Sequence, residues 1–348
     1  MEKEKYDAVL FRRNDSFSWL TCGGCAFVDK GAELANASLL VTLAKVTALY
    51  NSSEKFRIPE EELADLPFEM EDYTWNQDPG VSMGKYLDGK RTASDTAGFG
   101  AEYRGEDLSR LFYVLTPEEM ERYRKIGVQS TVLLEDAARQ VRPGQTEYQI
   151  AGRTTAALMA AGFQVPVCLV ASDERLLRYR HPVPAARTVE RMVMVAVTVR
   201  KYGLNVSISR IVSFGPLDEL TRSKQNAVAF IDAHLISATI PGAVTGEIVR
   251  SAGKLYKDAG FGGDYELHHQ GGAMGYAVRY YCAPESQKDK VEDRMAFSWN
   301  PTIAGVKSED TLIVTDGKPA VISKGGSWPQ IPVHIGNKTV ERPDILVF

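Results

Sequence analysis

Residues 192–215 read MVMVAVTVRKYGLNVSISRIVSFG. Met192 to Val199 is the longest mainly apolar run in the chain, far short of the ~20 residues that a membrane span requires. Its β-branched content, and that of Leu204 to Ser213, predicts two strands, with a third at Val165 to Val170. Helical patterns lie on both sides. Thr116-Pro117-Glu118-Glu119 is a capping box with proline at the first helical position, and Met120, Tyr123, Val128, Val132 and Leu134 form an apolar stripe behind it. That helix is expected to end before Pro143-Gly144. A second starts at Thr146, where Gln149 completes the box, and stops at Gly162; two more are expected near Leu220 to Ala238 and Thr245 to Ala259.

The helix pairs carry a repeat. Pro143-Gly144, Ile150 and Ala161-Gly162-Phe163 recur 98 positions later as Pro241-Gly242, Ile248 and Ala259-Gly260-Phe261. Each copy has a Pro-Gly turn, a capped helix, a glycine C-cap and a Phe entering a strand. This predicts a duplicated helix–strand unit with its site at the interface between the halves.

Before residue 112 the texture differs. Ala8 to Phe11, Phe17 to Leu20, Ser38 to Val41 and Ala48 to Tyr50 each read as a strand, and Pro59 to Leu66 and Val81 to Leu87 as short helices. Residues 1–112 are expected to form a small α/β domain and 113–348 a second domain, consistent with 348 residues at ~150 per domain. A formal charge of −4 without basic runs argues against a nucleic-acid partner. The charged start Met1 to Lys5, with no long apolar stretch behind it, argues against a signal peptide. Four cysteines form no disulfide framework, so a cytoplasmic setting is expected, without a membrane partner. The Cys22-Gly23-Gly24-Cys25 spacing lacks a second pair or a clear helix start, and a redox or zinc role there is set aside.

Three motifs fit together in order and spacing: Arg180-His181-Pro182, Ser207-Ile208-Ser209-Arg210 and Gly305 to Thr311. On them, residues 116–346 resemble the pita-bread peptidase family of methionine aminopeptidase, prolidase, aminopeptidase P and creatinase. Residues 1–112 resemble the N-terminal domain of its prolidase and creatinase branch. The resemblance implies an α/β (α+β) fold with a pseudo-two-fold, and a homodimer in which a loop, here with Arg12, Arg13 and Trp19, reaches the partner's site. Metal-dependent members hold two divalent ions with two Asp, one His and two Glu. At those positions this chain has Ala196, Ser207, Gly272, Asn300 and Glu309. One carboxylate cannot offset the dehydration of two hard cations, so no metal and no cofactor is expected. A single zinc on His181, His269 and Glu309 has suitable ligand types and is the lesser expectation.

The resemblance makes His181 the acid/base candidate, as in creatinase-like members; otherwise it is a loop histidine bonded to backbone. Glu309 either orients a water or a cationic nitrogen, or is a structural carboxylate paired with an Arg. Asn300 offers one acceptor and two donor hydrogens, suited to a neutral amide, urea or carboxylate. If Glu266 to Gly272 is extended, only one of His268 and His269 faces the site, with His269 favoured. Ser207, Ser209 and Arg210 line the floor, Arg210 either gripping a substrate carboxylate or locked in a buried ion pair. Arg279 and Tyr280 replace a site-facing pair of the family, with Tyr280 a hydroxyl donor, an aromatic wall or plain packing. The expected function is metal-independent hydrolysis of a C–N bond in a small nitrogen-containing metabolite, with a lyase as a close variant. The alternatives are a silent peptidase fold that binds a peptide or partner, and a metal-dependent peptidase.

Overall fold

The computed structural model describes residues 1–348, which divide into two units: Met1–Phe112 with Tyr202–Leu204, and Tyr113–Lys201 with Asn205–Phe348. In the first, strands β1 (Ala8–Arg13), β2 (Leu34–Thr42), β3 (Val46–Asn51), β4 (Glu69–Tyr73), β5 (Thr92–Ser94) and β6 (Glu102–Tyr103) form one sheet in the order β4-β3-β2-β1-β5-β6. The unbroken apolar run Ala8 to Phe11 is buried on both faces. Val9 and Phe11 enter a core with Phe17, Leu39 and Tyr50, while Ala8 and Leu10 meet Met83 and Leu87 of helix α2 (Pro79–Leu87).

Phe17 to Leu20, expected as a strand, belongs instead to helix α1 (Asn14–Leu20). Four apolar residues do not distinguish strand from helix, and here the Asn14 side chain fixes the start by donating to the carbonyls of Ala32 and Leu34. The helix expected at Pro59 to Leu66 is a single wide turn at Ile58–Glu62. Helix α3 (Gly105–Ser109) ends the unit. Trp19 packs between Phe11 and Phe112, Arg13 pairs with Asp15 and Glu33, and Arg12 lies over Phe99.

In the second unit both capping boxes form at the ends of α4 (Pro117–Arg139) and α5 (Glu147–Ala160). The stripe on α4 is buried at Met120, Tyr123, Ile126 and Leu134, whereas Val128, one step off the helical period, is exposed. After β7 (Gln164–Ser172) and α6 (Asp173–Arg178) come β8 (Met192–Lys201) and β9 (Leu204–Ser213), in a sheet of order β18-β9-β8-β7 closed by β18 (Leu346–Val347). Helices α7 (Glu219–Ala238), α8 (Thr245–Asp258) and α9 (Gly262–Tyr265) lead to a second sheet, β10-β11-β14-β15, made of β10 (Gly271–Met274), β11 (Ala296–Trp299), β14 (Asp310–Thr315) and β15 (Lys318–Val321). The hairpins β12 (Thr302–Ile303) with β13 (Val306–Lys307), and β16 (Gln330–Ile335) with β17 (Lys338–Pro343), complete the unit. No helix is long and apolar enough to cross a membrane.

The repeat holds at its turns and helix ends down to individual hydrogen bonds, although the second copy departs from the expectation twice: its helix starts after Val244 without a side-chain cap, and Phe261 leads into α9 rather than a strand. Gly144 and Gly242 take φ of +86° and +89°, and donate to Val189 and Val291 carbonyls at 2.8 Å each. Those valines donate back to Gln145 and Ala243. Gly162 and Gly260 both sit at positive φ, and Phe163 and Phe261 close their helices by donating to Leu158 and Tyr256.

Candidate active site

His181 lies in the loop between α6 and β8, and His268 and His269 lie in the bend that joins α9 to β10. Because that bend is not extended, the two neighbouring rings do not diverge. They stack with centroids 4.4 Å apart, and His181 joins them with Nε2 3.1 Å from His268 Nε2. This corrects the expectation that only one of the pair can enter the site. Burial, followed by the nearby Lys307 ammonium, pulls His181 below its ordinary imidazole value. Burial, then Lys307 and the neighbouring rings, carries His268 down to about 2. Burial, then Arg279 and Lys307, takes His269 to about 4. All three rings are therefore neutral near pH 7.

Glu309 stands beside this trio, but it is not free to hold a water. Lys307 Nζ is 3.2 Å from one carboxylate oxygen and Arg279 Nη2 3.5 Å from the other, to which Asn300 Nδ2 also donates. Arg279 Nη1 donates to Ser207 Oγ, itself 2.9 Å from Thr198 Oγ1. Asn300, Ser207, Glu309 and Lys307 are all buried. Lys307 was overlooked in the sequence although Lys307-Ser308-Glu309 carried the signal: residues two apart in extended chain share a face.

Three expected site residues lie elsewhere. Arg210 is locked between Glu135 at 2.9 Å and Asp310 at 3.2 Å, and its remaining donors reach the Ser209 and Ser323 carbonyls, so it grips no ligand. Ser209 is buried on the same strand, its amide donating to the Glu309 carbonyl. Tyr280 stacks on Tyr113 at 4.4 Å and accepts the Tyr276 amide, which makes it packing rather than a site wall.

One carboxylate assembles the site's loops. Asp264 of α9 takes Arg180, next to His181, at 2.5 Å and the Ala304 amide, in the turn before Lys307, at 2.8 Å. Gln270 adds a second tie, donating to the His268 carbonyl while its own carbonyl accepts the Asn300 amide. A cleft of about 370 Å³, lined by Leu177, Met192, Lys224 and Val306 among others, adjoins that turn.

Comparison with known proteins fits this arrangement. The model described as metallopeptidase family M24 matches residues 121–316, more than half of the chain. The chain belongs to metallopeptidase family M24. An Xaa-Pro dipeptidase of Lactobacillus delbrueckii subsp. lactis is 26% identical over 217 residues, 58% of this chain and 57% of that enzyme, so the match spans little over half the length of this curated relative. An uncharacterised peptidase of Staphylococcus haemolyticus is 23% identical over 266 residues, 72% of this chain and 74% of that protein. Among solved structures, a dipeptidase of Pyrococcus horikoshii superposes with a TM-score of 0.80 at 16% identity, covering 100% of this chain and 97% of that one. The likeness of fold thus covers both units of this M24 member.

The family name implies divalent ions, and the residues present do not fit two of them. Of the five ligand positions only Glu309 keeps a carboxylate, and cations already occupy both of its oxygens. A Cβ at Gly272 would lie 2.1 Å from the Tyr281 carbonyl oxygen, so this backbone has no place for the missing imidazole. The three histidines do bring one ring nitrogen each within 4.8 Å. Yet His269 Nδ1 accepts the Gly271 amide, which leaves the proton of the neutral ring on Nε2 and no lone pair to give a metal. Lys307 and Arg279 repel a further cation.

Proposed function

We propose that this M24 member is a metal-independent hydrolase that cleaves a C–N bond of a small nitrogen-containing metabolite, as creatinase does. The observation that carries the reading is the 3.1 Å contact between His181 and His268 beside Lys307 and Arg279, in a site where Ala196, Ser207 and Asn300 replace the carboxylates that the resemblance implies. In that contact one Nε2 donates and the other accepts. With His181 as donor, its Nδ1 lone pair is the base. The ring, neutral near pH 7, takes a proton from the attacking water and then returns it to the departing nitrogen. Asn300 offers its amide to a substrate amide, urea or amidine. Without a Lewis acid on the carbonyl the scissile bond must be activated or strained, which favours ureas, cyclic amides and amidines over ordinary peptides.

The test is a hydrolysis screen over those compounds with chelator present. Turnover should survive chelation and fall ~10²–10⁴-fold in His181→Ala. Dipeptidase activity that vanishes on chelation and returns with manganese, cobalt or zinc would overturn the reading. One observation favours a second reading, a binder without turnover: the cations on Glu309 leave the site no free carboxylate base. A ligand bound equally by the parent and His181→Ala, with no product from either, would establish that reading.

A further inference from the structure

The charges around Glu309 do not balance. Lys307 and Arg279 bracket a single carboxylate, and the three imidazoles beside it are neutral, so the cluster, buried at Lys307 and Glu309 and half-buried at Arg279, carries one positive charge in excess. Interiors do not keep an uncompensated cation without a reason, because its hydration is lost and nothing replaces it. The same cluster holds buried polar atoms without a partner. Arg279 Nε donates to nothing, and Asn300 Oδ1, Ser298 Oγ and Gln270 Oε1 are likewise unpaired although these last three residues are 3%, 0% and 1% exposed. They lie close together in the fold: Ser298 pairs with Gly272 on one side and Thr311 on the other, and Asn300 follows it on the same strand end, bonded to Gln270 and to Glu309.

We propose that Arg279 and Lys307 form an anion subsite for a ligand carboxylate, and that Asn300 Oδ1 accepts an N–H of the same molecule. The substrate class is therefore a small carboxylate bearing an amide or urea nitrogen, an N-acyl or N-carbamoyl amino acid in outline. Arg279 supplies the unpaired Nε–H beside its Nη2, a planar fork that matches a carboxylate, and Lys307 supplies a point charge. Glu309 holds both cations in place and leaves one of their charges uncancelled. Side-chain cations thus sit on the one carboxylate kept from the family's ligand set, which favours an anion where the family holds cations. This deepens the proposed function by giving its substrate a charge, and it concerns binding rather than turnover.

The experiment is calorimetric titration of the full-length protein with N-carbamoylglycine and with its uncharged counterpart N-carbamoylglycinamide. The acid should bind about tenfold or more tightly than the amide, and Arg279→Gln and Lys307→Met should each abolish that preference. Lys307→Arg should restore it. If Lys307→Met does not fold, because Glu309 then loses the nearer of its two cations, Arg279→Gln and Lys307→Arg decide the matter. An acid that binds no better than its amide, whether both bind equally or neither binds, overturns the proposal, as does a preference that survives Arg279→Gln. A protein that prefers the acid but turns over nothing keeps the subsite and loses the hydrolase; turnover of uncharged ureas with no acid preference does the reverse.

Discussion

His268 departs far from its free form. Its ring is buried beside an ammonium and two other imidazoles and does not protonate until about pH 2. In the unfolded chain the same ring protonates below ~6.5. Between those values the unfolded state binds a proton that the folded state refuses. The stability conferred by the neutral ring is therefore complete above ~6.5 and is lost as pH falls, at about 1.4 kcal/mol per pH unit. Burial raises Asp232 to about 6, which acts in the opposite sense over part of this range, so the ring's own share is the difference between the parent and a variant that lacks it. Urea unfolding of the parent and of His268→Asn between pH 6.5 and 5 should show a shallower decline in the variant. Parallel curves would mean that the ring protonates in the fold as it does in the unfolded chain, so that neither its burial nor Lys307 holds it neutral.

At the scale of elements, much was legible because it rests on local chemistry. Capping boxes, Pro-Gly turns and glycine C-caps act within a few residues, and the helices starting at Thr116 and Thr146 follow from them, as does the 98-residue repeat. What could not be read depends on partners far along the chain. Arg210 could be read either as a ligand grip or as a buried ion pair, and the partners that decide for the ion pair, Glu135 and Asp310, lie 75 and 100 positions away. The two stacked histidines were misplaced because a bend, not a strand, precedes β10. Phe17 to Leu20 was too short a pattern to choose helix over strand. Gly272 shows the same dependence in reverse. Its place in β10 is set by Tyr281, whose carbonyl oxygen would sit 2.1 Å from any Cβ. Gly272→Ala should therefore cost about 1–3 kcal/mol through backbone displacement, read as a lower denaturation midpoint with an unchanged slope. An alanine variant as stable as the parent would show that the strand can move aside, and would reopen the position to an imidazole.

Across the second unit, one chain of buried charges joins the two halves of the repeat. Glu135 of α4 holds Arg210 of β9, Arg210 holds Asp310 of β14, Asp310 holds Arg342 of β17 at 2.6 Å, and Arg342 holds Asp232 of α7 at 2.7 Å. Asp232 in turn accepts from Ser308. Ser308 and Asp310 flank Glu309, so the chain fixes the backbone on both sides of the carboxylate that carries Lys307 and Arg279. A buried ion pair adds little over an apolar replacement, but removing one member strands the others. Arg210→Met should cost about 3–5 kcal/mol, because Glu135 loses its cation and Asp310 one of two. Glu135→Met alone strands part of Arg210. The double variant Glu135→Met with Arg210→Met removes both ends of that contact and should cost less than the sum by ~1 kcal/mol or more, as directly coupled groups do. Strictly additive losses in a denaturation cycle would mean that these charges act separately, and that Glu309 is held by its sheet alone.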